Sequence, residues 1–153
     1  MKKLLLILFS LLTLHVQSKA MDIQQMRVIQ TMIDSARSQA DLNLASKMLF
    51  DMWKYDLESK EKQVLGIIPK NLHRSFKNSM ENWKNHVERM SQIRSELFML
   101  DMVQPQYYKL RGIESKVSAL KTIKSMQPYI YNMSKSIYYE EKWIELDVLL
   151  NSK

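Results

Sequence analysis

From about Lys70 to Met102, apolar residues recur at steps of three or four: Leu72, Phe76, Met80, Trp83, Val87, Met90, Ile93, Leu97 and Leu100. Successive residues of an α-helix turn by about 100°, so steps of this size keep side chains on one face. The stripe predicts a single helix, roughly 48 Å long at about 1.5 Å per residue, with one side to bury. Gly66 before it and Pro69 at its entrance are the stop and start that such a helix needs.

The same period extends in both directions. Upstream, Met26, Ile29, Ile33, Ala36, Ala40, Leu44, Met48, Met52 and Tyr55 keep helical spacing. A short break at Ser38 to Ala40 predicts two helices there, about Asp22 to Ser38 and Asp41 to Leu65, with Asp41 capping the second. Downstream, Pro105 opens a helix carrying Leu110, Ile113, Val117, Leu120, Ile123 and Met126, and the stripe resumes as Ile130, Met133, Ile137, Ile144 and Val148. Pro128 lies between the two runs without breaking their register, so it either kinks one long helix or begins a second. Only two glycines and three prolines punctuate the chain, and no strand-like alternation stands out. The expected fold is all-α: an antiparallel bundle of four or five helices with a kink or break at Pro128, in one domain spanning residues 21–153.

Residues 1–20 belong to a different class of segment. Lys2 and Lys3 lead into the apolar run Leu4 to Leu14, and Ser18-Lys19-Ala20 supplies small residues at the two positions that define a cleavage site. The run is about half of the roughly 20 residues a membrane-crossing helix needs, so it reads as a secretory signal removed after Ala20, with a periplasmic or secreted product and no stable membrane insertion. Removal of Lys2, Lys3 and Lys19 lowers the formal charge from +7 to +4. A mildly basic exported chain gives no reason to expect nucleic acid as a partner. Cysteine is absent, so stability must come from core burial even where disulfides are permitted.

Catalytic chemistry finds little to work with. His73 and His86 are the only histidines after the signal, and on one helix they point about 220° apart, too far round to share a metal. There is no His-Glu-x-x-His, no Glu-x-x-His and no cysteine nucleophile. Glu140 and Glu141 are helix neighbours about 100° apart and form no acid/base pair. The expectation is a non-enzymatic protein with no catalytic residue, no metal site and no cofactor.

Binding residues are easier to nominate. Six of the seven tyrosines lie between Tyr107 and Tyr139, where the helical stripe is already filled by aliphatic residues. Tyr107, Tyr108, Tyr131, Tyr138 and Tyr139, with Trp143, are therefore candidates for an aromatic face that binds a protein partner, because such rings bury much area with few rotamers. Twelve methionines suggest an alternative: thioethers at helical spacing, such as Met48 with Met52, suit a soft metal ion or an adaptable apolar groove. Between Lys70 and Lys124, eleven basic residues face five acidic ones, and Lys70, Arg74, Lys77 and Lys84 could form a basic ridge.

A cysteine-free, basic, Met-containing exported helical chain broadly resembles the small periplasmic stress chaperones, although it lacks their Leu-Thr-x-x-Gln motif. It is similar in the same general way to the minor pilus component of type IV secretion machines and to periplasmic immunity proteins, without a specific motif of either. The function expected is that of an exported interaction protein of the immunity or secretion-component type, with a holdase-like chaperone or a methionine-based metal binder as the alternative.

Overall fold

A computed structural model describes residues 23–102 and 116–152. Four α-helices pack together: α1 (Ile23–Ser35), α2 (Gln39–Ile67), α3 (His73–Met102) and α4 (Lys116–Asn151), with a 3-10 turn at Lys70–Leu72 before α3. No strand occurs among the described residues. The signal segment, Pro105, Tyr107 and Tyr108 lie outside them. The all-α bundle and the break between α1 and α2 are as expected from the sequence.

The break itself is built differently. Ser38, not Asp41, is the residue that caps α2, and its hydroxyl accepts the Asp41 backbone N–H at 3.2 Å. Asp41 reaches back to accept the backbone N–H groups of Ser38 at 2.9 Å and Arg37 at 3.1 Å. This reciprocal box satisfies donors at the helix start that would otherwise have no partner. The Ser38 hydroxyl and these two backbone donors hold the Asp41 carboxyl below its usual range. At Pro128, one continuous helix is found, and α4 runs through it to Asn151. The proline deprives the Lys124 carbonyl of its helical donor, but both residues face solvent, where water can serve instead.

Consecutive helices run antiparallel, so α2 and α4, which share the largest interface, run parallel. The register is visible in the side chains that link them, as Asn43 donates to the Ser125 carbonyl at 2.9 Å and Lys60, further along α2, pairs with Asp147. Along this interface Ala45, Leu49, Trp53, Leu57 and Val64 of α2 and Tyr129, Met133, Tyr139, Trp143 and Leu146 of α4 share one core. Met80 and Val87 of α3, and Ile29 and Ile33 of α1, complete the core. Small residues allow the close approach: Ser46, Ser91, Ser95, Ser134 and Ser136 are buried.

Part of the expected core therefore lies elsewhere. Leu44 and Tyr55 on α2, Ile93, Leu97 and Leu100 on α3, and Val117 and Val148 on α4 are exposed. Trp83 is half-buried and packs against the core, but Leu97, expected beside it, does not. Apolar residues occupy more than one face of these helices, and the face that turns inward is chosen by the closeness that serines allow and by the shape of the large rings, not by hydrophobicity alone.

Leu49→Ala and Leu44→Ala test this phase. Leu49 is 0% exposed and Leu44 54%, so the first substitution should cost about 2 to 5 kcal/mol and the second within about 0.5 kcal/mol of none, read from denaturant unfolding curves. Equal losses would place the helix phase wrongly.

Candidate functional site

The aromatic residues nominated on α4 divide into two groups. Tyr139 and Trp143 are buried in the core, which corrects their assignment to an outward face. Tyr139 stacks edge-on with Phe50 at 5.0 Å between ring centroids and lies 5.1 Å from Trp83, while Trp143 meets Trp53 at 6.1 Å. Burial, with the carboxylates of Glu88, Glu61, Glu58 and Glu81 nearby, pushes the Tyr139 phenol up to about 12. Each residue lies one position beyond Tyr138 or one turn beyond Tyr139, and the core seam of α4 runs through that side of the helix. Tyr131 and Tyr138 remain half-buried at the edge. The Tyr131 hydroxyl donates to the Glu88 carboxylate, and the Arg94 guanidinium lies 4.7 Å from the Tyr138 ring centroid. Both rings thus serve the α3–α4 contact.

Cations seated on rings join these helices repeatedly. Lys135 sits 4.2 Å from the Phe50 centroid and 2.7 Å from Glu88, and Lys142 lies 5.5 Å from the Trp83 centroid. Lys60, a buried lysine in the second half of α2, pairs with Asp147 and lies 4.7 Å from the Trp143 centroid. Asp56, one turn before Lys60, has its carboxyl raised by burial, an effect that the Lys60 charge partly offsets. Nothing in the sequence marks Lys60 as internal except its place on the Trp53, Leu57, Val64 face.

The basic ridge is partly neutralised by the fold. Lys70, Arg74 and Lys77 are exposed, but Lys84 pairs with Glu61 of α2 at 2.7 Å. A shallow depression of about 340 Å³ between α2 and α3 is lined by Glu58, Glu61 and Glu81 as well as by Lys62, Lys77 and Lys84, so its charges balance. His86 is exposed, and one ring nitrogen of His73 lies 3.3 Å from the Ile68 carbonyl, a local contact at the start of α3.

A groove among the described residues lies away from the aromatic residues nominated on α4. About 630 Å³ in volume, it runs between α1 and α2, lined by Val28, Ile29, Met48 and Met52 with Gln24, Gln25 and Asp51 on its rim. Val28 and Met48 are exposed. Leu44, Met48 and Tyr55 lie on the same side of α2, roughly 40° apart or less at 100° per residue, and extend the apolar strip beyond the groove. The spacing of Met48 and Met52 was the available sequence signal. Two thioethers, an apolar floor and amide edges can grip an apolar side chain and hydrogen-bond its flanks.

Besides Asp41 and Asp56, a third carboxyl is moved from its ordinary range. Burial, reinforced by the adjacent Glu141 charge, raises Glu140 from 4.5 to about 7. The folded protein therefore binds more protons than the unfolded chain between these values, and Glu140 makes stability fall as pH rises through that window. Glu140→Gln should flatten the decline in melting temperature between pH 5 and pH 8 and melt higher than the parent at pH 8. Parallel melting curves for the two proteins would refute the shift.

In comparisons with known proteins, no family model, curated protein or solved structure matches the chain.

Proposed function

We propose that this is an exported, non-enzymatic interaction protein that receives an apolar segment of a protein partner in the α1–α2 groove. The observation that carries the reading is the groove itself, in which Val28 and Met48 are exposed beside the partly buried Met52 and the buried Ile29. An amphipathic helix is the natural occupant of such a trough, because its apolar face spans one helical groove while its polar edge meets Gln24, Gln25 and Asp51. Export is supported by the charged start, short apolar run and small-residue site of residues 1–20.

A holdase-like chaperone is the second reading, and the methionine lining favours it, since thioethers repack around varied clients at little cost. The two differ in stoichiometry: one tight partner against many weak ones.

A photo-reactive residue in place of Met48, introduced in the source cells, should capture one protein in stoichiometric amount, and the same residue in place of Lys77 should not. With that partner purified, Met48→Glu should weaken binding at least ~30-fold, the scale of a hot-spot loss, while Lys77→Ala changes it only a few-fold. Unchanged binding by Met48→Glu would sink the groove reading, and suppression of client aggregation without a fixed partner would move the assignment to a chaperone.

Export has its own test. Intact-mass measurement of protein from the periplasm or medium should find a chain beginning at Met21, and a chain still beginning at Met1 would remove the export assignment.

A further inference from the structure

Methionine is abundant in this chain and cysteine is absent, so a two-electron oxidant that reaches the protein meets thioethers and no thiol. The fold treats the nine methionines whose side chains are described very differently. Met80, Met126 and Met133 are buried in the core. Met26, Met32, Met52, Met90 and Met99 are partly buried, and Met48 alone among them is exposed, at 38%. Exposure decides which thioether an oxidant reaches first. Met48 also lines the α1–α2 groove, with Val28 and Ile29 of α1 beside it and Met52 one turn further along α2.

A thioether is apolar and flexible, which lets it pack against varied side chains. Its sulfoxide is polar and accepts hydrogen bonds. On Met80 or Met133 that change would bury a polar oxygen without a donor and loosen the bundle. On Met48 the oxygen can stay in water, beside the solvent-open ion pair of Lys47 and Asp51, so the fold survives and the groove is what changes. An apolar segment laid over Val28, Ile29 and Met52 would have to strip water from the sulfoxide or leave a gap around it. The thioether easiest to oxidise is thus the one whose oxidation disturbs the core least and the groove most.

We propose that Met48 is a site of reversible oxidative modification, taken to the sulfoxide by a peroxide, and that the sulfoxide closes the α1–α2 groove to apolar segments. This rests on the reading of that groove as a partner site. With hydrogen peroxide, the sulfur lone pair forms the S–O bond as the O–O bond breaks, and the proton on the transferred oxygen passes to the departing hydroxide to give water. Sulfur loses two electrons and the peroxide gains them. A thiol-driven sulfoxide reductase removes the oxygen as water and restores the thioether.

The intact protein, treated with limiting hydrogen peroxide and mapped by peptide fragmentation and mass, should take up oxygen on Met48 faster than on Met52 and at least ~10-fold faster than on Met80 or Met133. In guanidinium chloride, where burial is lost, the preference should vanish. Folded protein oxidised at Met48 should melt like the parent. It should bind the partner captured at the groove at least ~10-fold more weakly, and the sulfoxide reductases of both epimer specificities should restore the affinity. Met48→Leu, whatever its starting affinity, should lose none on the same treatment. Met52 or Met80 oxidised as fast as Met48, a lowered melting temperature after oxidation at Met48, unchanged binding by that oxidised protein, or a loss of affinity in treated Met48→Leu would each overturn the proposal. If Met48→Glu weakens binding while oxidation does not, the switch fails and the groove stands; if Met48→Glu binds like the parent, the groove reading fails and takes the switch with it.

Discussion

The Lys60 ammonium, buried against Trp143 and paired with Asp147, is the contact around which the bundle is arranged. A lysine charge taken out of water must find an anion in good geometry, and losing that anion typically costs about 3 to 5 kcal/mol. The requirement fixes how far α2 slides along α4, since only one register sets Lys60 beside Asp147 while Trp53 meets Trp143 and Asn43 reaches the Ser125 carbonyl. Hydrophobic contact alone would tolerate a shift of one turn. The charge does not, and α3 then packs beside a pair already set in place, fastened by Lys84 to Glu61 and by Lys135 and Tyr131 to Glu88.

Much of this architecture is legible in the chain. Long runs of three-and-four spacing and the scarcity of glycine specify helices, and the Ser38 to Ala40 interruption is where one ends and the next begins. Ser38 and Asp41 both have the chemistry of a cap, and only their reciprocal hydrogen bonds assign the roles. The phase of the buried face was less readable. Ser91 and Ser95 lie inside and Ile93 and Leu97 outside, an inversion that no hydrophobicity pattern reveals.

The candidate site suffered from the same ambiguity. The aliphatic spacing of α4 points Tyr139 and Trp143 outward, yet these rings join Met133 and Leu146 in the buried seam and Val148 does not. Lysine over an aromatic face buries both partners at once, so Lys60, Lys135 and Lys142 and the rings they cover form one internal device, while Lys70, Arg74 and Lys77 of the ridge stay exposed. The methionine pair on α2 was visible in the sequence, but the groove arises only when α1 folds back beside it.

Among the described residues helix α1 packs mainly against α2, whereas α2 shares the largest interface with α4, and α3 in turn packs on α4. The 13 residues of α1 are too few for a helix to persist unaided in water. Amide protons in α1 will therefore exchange through a local opening that leaves the three longer helices intact, while those near Trp53 and Trp143 wait for global unfolding. The Met48 and Met52 trough thus has one wall that can yield and one that cannot, and its width is governed by the least stable element of the fold.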